Sequence, residues 1–320
     1  MEPDSGMARW NRGNVYLLQG KLEQGFIDHE GRLTAENHKK AALPQHLRWQ
    51  GETDLKGKTL FIYSDLYLGD MLQFCRYALL AERKGANVIV AVTDKLHAIL
   101  RTLSKNIQFI PKDDIPKHFD YFCDLLSLPF CFKTKFDTIP ADVPYLTADP
   151  ERTLRWGERI GKDGFKIGIC WQGSTQAYAV PMRRSFPLLH FSKIAALPKV
   201  RLISLQKNEG VEQLLDLPDS MKVETLGDDF DAGPGAFLDT AAVMENLDLV
   251  ITPDTSIAHL AGALGRPTWV VLRDIPDWRW LLDREDSPWY PNTRLFRQNK
   301  RDEWQVPFDE MEKRLKAMLS

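Results

Sequence analysis

The chain has 320 residues, 43% of them apolar and 27% charged, with a formal net charge of −2. That length exceeds one ordinary core and suits two domains of roughly 100–200 residues each. A near-neutral chain without a long run of one sign lacks the basic face that phosphate backbones demand, so nucleic acid is excluded as a partner. Cys75, Cys123, Cys131 and Cys170 are scattered and form no CxxC pair, which fits a reduced, cytoplasmic protein. No basic-then-apolar leader opens the chain and no apolar run nears the ~20 residues of a membrane span. Peripheral contact with a membrane surface stays compatible.

Residues 7–33 read as two short helices turning at Gly20, with Val15, Leu18 and Leu22 at helical spacing and Phe26 continuing on the second helix. Gly13, Tyr16, Gly20, Gly25 and Phe26 resemble the small and large positions of a tetratricopeptide helix pair. Such units bury their faces by stacking, so one pair is expected to cap the domain that follows or to end an array. Residues 34–57, with Pro44 and Gly51, read as a linker. Alternation then begins: strands over 59–64, 87–92, 107–110 and 121–126, with helices from Gly69 to Lys84 and from Lys95 to Leu103.

Residues 128–150 hold four prolines and little periodicity, and are read as the domain boundary. A second series follows. Strands are expected at 166–171, 200–205, 222–226, 247–252 and 268–272. Helices are expected after Phe186, near 210–215, over 236–245 and over 255–264. The stretch Pro307 to Leu319 is amphipathic. Strand–helix alternation indicates open parallel sheets covered on both faces. The expected fold is therefore α/β, two Rossmann-like domains with a central cleft, preceded by the helix pair. The divisions are 1–40, 41–150, 151–305 and a C-terminal helix, 306–320, packing back on the N-terminal domain.

The richest segment is LDLVITPDTSIAHLAGALGRPTWVVL, residues 247–272. Pro253 ends a strand because it cannot donate to a ladder. Asp254 or Thr255 then caps a helix kept slim by Ala258, Ala261, Gly262 and Gly265. The free amides and partial positive charge of its first turn suit an anion such as a pyrophosphate. Thr255 and Ser256 add hydroxyls, and His259, four residues after Thr255, projects from the same face. An ordinary capped helix with a satisfied histidine is the plain alternative. The second segment is YSDLYLGDMLQFCRYALL, with Gly69 permitting a tight turn and Asp70 at a helix start, either as cap or as a base toward the cleft. Gln73 and Arg76 follow at helical spacing, and Asp65 is a weaker base candidate.

These segments resemble the heptosyltransferase-like family, glycosyltransferase family nine, with its Asp-Thr, following His and Gly-x-Pro, and its Gly-Asp after the first strand. The chain is also similar to bacterial proteins that join tetratricopeptide repeats to such a module, and to protein O-GlcNAc transferases. The resemblance implies a GT-B fold and an inverting transfer from a nucleotide-diphosphate sugar to a hydroxyl of a glycan, a lipopolysaccharide core or a protein. It gives Asp70 the role of base and places the donor at Asp254, Thr255, Ser256 and His259, with Gly69, Gln73 and Arg76 toward the acceptor. Trp171, Gln172 and Gly173 resemble the first loop of the donor domain. Of Arg183 and Arg184, the latter, before Phe186-Pro187, is favoured to pair with the diphosphate.

Gln206 and Lys207 end the next strand and contact base or ribose, or else form a solvated loop. Asp239 is a cap or a ribose contact. Trp278, Trp280 and Trp289 are expected at the interdomain hinge, or to stack on sugars. Asp228-Asp229-Phe230-Asp231 superficially resembles a DxD metal motif and reads as a solvated turn; no His/Cys cluster has ligand spacing. No metal and no cofactor beyond the donor substrate is expected. A non-catalytic scaffold that keeps the fold is the main alternative. An epimerase ranks lower, for want of a second carboxylate.

Overall fold

The computed structural model describes residues 5–34, 43–64, 67–174, 184–233 and 235–320. The chain divides into two compact units, one formed by Met1–Leu146 with Asp277–Asp283, the other by Thr147–Pro276 with Arg284–Ser320.

The first unit is built on a four-stranded parallel sheet of order β3-β2-β1-β4, with β1 at Thr59–Tyr63, β2 at Asn87–Val92, β3 at Gln108–Pro111 and β4 at Tyr121–Asp124. Phe61 faces Ile89 on one side and Phe122 on the other. Apolar runs of this kind mark strands covered on both faces. The long helix expected from Gly69 to Lys84 is instead two, α3 (Leu68–Phe74) and α4 (Arg76–Arg83), because the chain tightens at Cys75, where the Ala78 amide reaches the Cys75 carbonyl one residue early. Helix α5 (Asp94–Leu100) and the short α6 (Leu128–Cys131) complete the layer.

The N-terminal pair, α1 (Gly6–Leu18) and α2 (Leu22–His29), turns at Gly20 with φ +76°. Its buried face differs from the expected one. Val15 is 51% exposed, and Gly13 and Leu17 are buried instead. The reason is steric: a Cβ on Gly13 would lie 2.6 Å from the His29 amide, so the glycine face is the one that admits α2. The pair belongs to the first unit through a buried ion network. Arg32, 4% exposed, pairs with Asp124 at the end of β4 and donates to Ser127 Oγ at 2.7 Å and Glu30 Oε1 at 2.7 Å. Burial works against its charge, but Asp124 and Glu30 outweigh that cost and raise its pKa.

The second unit carries a six-stranded parallel sheet, order β10-β9-β8-β5-β6-β7: β5 Phe165–Ile169, β6 Val200–Ser204, β7 Val223–Glu224, β8 Leu249–Pro253, β9 Thr268–Leu272 and β10 Thr293–Arg297. Its helices are α7 (Pro150–Ile160), α8 (Ser192–Ala195), α9 (Leu238–Glu245), α10 (Ser256–Ala263) and α11 (Gln305–Leu319). Sequence reading missed α7 and β10. A cap signal for α7 was present: Asp149 accepts from the Arg152 amide at 2.8 Å and Pro150 takes the first helical position. The helix expected near 210–215 is a 3₁₀ turn, Val211–Asp216.

Two expected boundaries change. Residues 277–283 leave the second unit's run of sequence and pack in the first. Helix α11, expected to pack back on the N-terminal domain, buries Phe308, Met311 and Leu315 in the second unit's own core, with Phe186, Phe191 and Phe296.

Candidate functional site

In the second unit, the loops after β5, β6 and β8 converge at the carboxyl ends of three neighbouring strands, where open α/β sheets bind ligands. The buried Cys170 thiol is the meeting point. It donates to Gln206 Oε1 at 2.9 Å and interacts with Thr252 and Thr255, while burial raises its pKa to about 11.

Of the two residues proposed to cap α10, Thr255 does so: its Oγ1 accepts from the Ile257 amide at 3.3 Å and lies 3.1 Å from Thr252 Oγ1. Asp254 precedes it and Ser256 opens the helix; beyond the Ile257 amide held by Thr255 Oγ1, the Ala258 amide donates to the Thr255 carbonyl at 3.1 Å. His259 was expected on the ligand-facing side with Thr255. It is 5% exposed instead: Nδ1 lies 3.0 Å from the Tyr290 hydroxyl, and Nε2 lies 3.9 Å from Asp254 Oδ1. The imidazole thus lies between the Asp254 loop and Tyr290, a residue that sequence reading passed over although it lies in the aromatic-rich stretch. Gly262 makes this possible, because a Cβ there would sit 2.3 Å from the Tyr290 ring.

Gln206 is not free to read a base or ribose. Its Oε1 accepts from the amides of Trp171 and Gln172 at 3.0 and 3.1 Å, and its Nε2 donates to the carbonyls of Gln172 and Glu209 at 2.9 and 2.8 Å. It shapes the loop and uses its amide doing so. Trp171 is fully buried, with Nε1 donating to the Gly210 carbonyl at 3.0 Å, so its ring belongs to the core and not to a ligand surface. Gln172 accepts from Gln213 Nε2 at 3.2 Å. Gly173 is held by Ser185 Oγ at 3.1 Å and leaves room for the Arg184 guanidinium, whose Nε would meet a Cβ there at 2.7 Å. Lys207 turns away to the Phe230 carbonyl and lies 5.5 Å from the centre of that ring.

Asp239 is likewise engaged, accepting from Trp156 Nε1 at 2.9 Å and Arg152 Nη1 at 2.6 Å. In the acidic stretch, Asp231 accepts from the Asp239 and Thr240 amides at the start of α9, and Asp229 pairs with Arg159. Among the described residues no group of three or more His, Cys, Asp or Glu is placed to hold a metal ion. No described helix is long and apolar enough to cross a membrane.

In the first unit, Asp70 lies in the first turn of α3 and is not its cap, a position held by Tyr67. Gly69 sits inside the same turn, so it does not make the tight bend expected of it. Asp70 is ion-paired with Arg279, which sequence reading did not connect to it across 209 positions. Burial raises the Asp70 pKa, Arg279 opposes that shift and Asp277 adds to it. Gln73 is fully buried. Arg76, expected toward the acceptor, is a strut: it donates to the carbonyls of Gln73 and Pro140 at 2.8 and 2.9 Å and to the Tyr145 hydroxyl at 2.8 Å. Asp65 and Arg183 lie outside the described residues. Trp278 and Trp280 pack in the first unit and Trp289 in the second.

Parallel sheets with this strand order and these loops define a GT-B fold, and known structures agree. ADP-heptose lipopolysaccharide heptosyltransferase II of E. coli aligns with TM-score 0.61 at 14% identity, covering 82% of this chain and 98% of that one. A family 9 glycosyl transferase from Veillonella parvula aligns with TM-score 0.61 at 12% identity, covering 83% and 98%. E. coli heptosyltransferase WaaC with ADP aligns with TM-score 0.54 at 13% identity, covering 81% and 99%. The model of glycosyltransferase family 9 (heptosyltransferase) matches residues 184–305, the stretch that holds the β6 and β8 loops and α10. Protein FlbA of Caulobacter vibrioides is 24% identical over 315 residues, 92% of this chain and 52% of that protein. The chain therefore spans about half the length of this curated relative.

Proposed function

We propose that the protein transfers a glycosyl group, with inversion, from a nucleoside-diphosphate sugar to a hydroxyl of a glycan, a lipopolysaccharide core or a protein. The observation that carries this reading is the start of α10, where Thr255 caps a helix at the carboxyl end of a fully buried strand, inside the segment that the family model matches. The diphosphate is bound by the Ser256 amide and hydroxyl at the positive end of α10, with Arg184 supplying charge. His259, fixed by Tyr290, orients Asp254 toward a donor hydroxyl. The acceptor hydroxyl gives its proton to Asp70 as it attacks the anomeric carbon, and the bond to the leaving diphosphate breaks with the electron pair going to that diphosphate. A base whose pKa burial has raised is better matched to neutral pH than an ordinary carboxylate. Helix amides and Arg184 offset the charge on the leaving group, so no divalent ion is required.

ADP is the first nucleotide to test, since E. coli WaaC has been solved with ADP and with ADP-2-deoxy-2-fluoro heptose. Thermal melting is followed with ADP, UDP, GDP and CMP, each with magnesium and with EDTA. A ligand held at 100 times its dissociation constant stabilises the native state by about 2.7 kcal/mol. The expected result is a rise with ADP that EDTA leaves unchanged and that Thr255→Ala with Arg184→Ala abolishes. No rise with any nucleotide, in a folded sample, would leave the non-catalytic reading in possession of the site.

A further inference from the structure

The base assigned above sits at one end of a chain of contacts that runs back to the N-terminal helices. Residues 277–283 return to the first unit as a short strap. Asp277 caps its 3₁₀ turn, accepting from the Arg279 amide at 3.0 Å and from Arg279 Nη1 at 2.8 Å, so one carboxylate fixes both the backbone and the head of Arg279. The guanidinium lies 4.5 Å from the Trp278 ring centre and 5.2 Å from that of Phe74, one turn beyond Asp70 in α3. Trp278 in turn meets Phe26 at 5.9 Å and His29 at 6.1 Å, both on α2. Arg279 is 9% exposed at its side chain and Asp70 15%.

We propose that Arg279 is a positioning residue for the Asp70 carboxylate, and that the helical hairpin of residues 5–34 holds it in place through Trp278. The proposal rests on Asp70 being the base. The guanidinium does two things there. It fixes the carboxylate rotamer through a planar donor that is itself clamped by aromatic faces, and its charge keeps a buried acid ionised. Among the described residues, the other charges that act on Asp70 do so in the opposite sense. Asp277 and Asp124 raise its pKa, and Asp124 is held by Arg32. His29 stays neutral, through burial first and then through Arg32 and Arg279 beside it, so it adds no compensating charge. Arg279 is thus the cation that sets this carboxylate, and it is delivered from a segment more than 200 positions away in sequence.

The test is a direct titration of Asp70 in the full chain labelled with carboxyl-¹³C aspartate. The Asp70 resonance is the one lost in Asp70→Asn. Arg279→Met keeps the apolar stem on Trp278 and Phe74 and removes the charge; it is expected to move the Asp70 midpoint up by about 1–3 pH units. Arg279→Lys is expected to recover at least half of that displacement. Phe26→Ala, which touches neither partner, is expected to move the midpoint the same way by a smaller amount. With a transfer assay, the acid limb of kcat/KM should follow the same displacements. A midpoint unchanged in Arg279→Met overturns the role of Arg279, and one unchanged in Phe26→Ala overturns the role of the hairpin. Transfer that survives Asp70→Asn would instead refute the base assignment itself, whatever the titration shows.

Discussion

Alanine in place of a helical glycine usually stabilises a protein, by about 1 kcal/mol in a helix interior. Gly262→Ala in α10 should do the reverse. A Cβ at that position would lie 2.3 Å from Tyr290 Cδ1, 2.6 Å from Cγ and 2.7 Å from Cε1. The ring is 1% exposed and its hydroxyl is held 3.0 Å from His259 Nδ1, so it has no free space to enter and cannot move without breaking that contact. Overpacking costs about 1–3 kcal/mol, and a buried group left without its partner costs about 1–3 kcal/mol more. Against the propensity gain, the net loss is about 1–5 kcal/mol. At roughly 2–4 °C per kcal/mol, the melting temperature should fall by at least about 2 °C in a scanning experiment. Tyr290→Leu in the Gly262→Ala background removes the ring atoms and should recover part of the loss. A melting temperature raised by Gly262→Ala, or no recovery in the double variant, would refute the steric argument and with it the account of how His259 is held.

Two further outcomes follow from the buried charges of the first unit. Arg32→Met leaves the buried Asp124 without its cation, while Glu30 keeps Arg48, and should cost about 3–5 kcal/mol in urea unfolding. Adding Asp124→Asn should restore much of it, and a double variant no better than the single one would contradict this. His29 gives a pH dependence. Burial, with Arg32 and Arg279, holds its folded pKa well below the usual value, so below about pH 6.5 the unfolded chain binds a proton that the folded chain refuses. Stability should therefore fall as pH falls below that point, by up to about 1.4 kcal/mol per unit for this group. His29→Gln should remove that part of the slope, as read from denaturation midpoints at pH 5 and 7.

Much of the fold was legible locally. Runs such as NVIVAV and LDLVIT announce buried parallel strands because burial on both faces removes polar alternation. The Pro-Asp-Thr-Ser turn announces a capped helix because the cap is made by residues adjacent in sequence. Thus the two α/β series, the strand-to-helix turn at 253–256 and the glycine-rich first hairpin needed only the order of residues. What local pattern could not supply was the partner of each polar side chain. Gln206 looked like a base contact until its amide was found to be used by the 171–172 loop. His259 was legible either as a phosphate ligand or as a satisfied histidine, and its Tyr290 partner at Nδ1 was not. Asp70 was visible, and its cation was not. A parallel sheet with long crossovers places Arg279 beside Asp70 and Arg32 beside Asp124, and no periodicity encodes a pairing across that many residues. The residue types and most of their secondary structure came from the sequence, whereas the hydrogen-bond partners and the charge environment came only with the tertiary fold. Burial makes most such groups find a partner, and only the folded chain determines which one lies within reach.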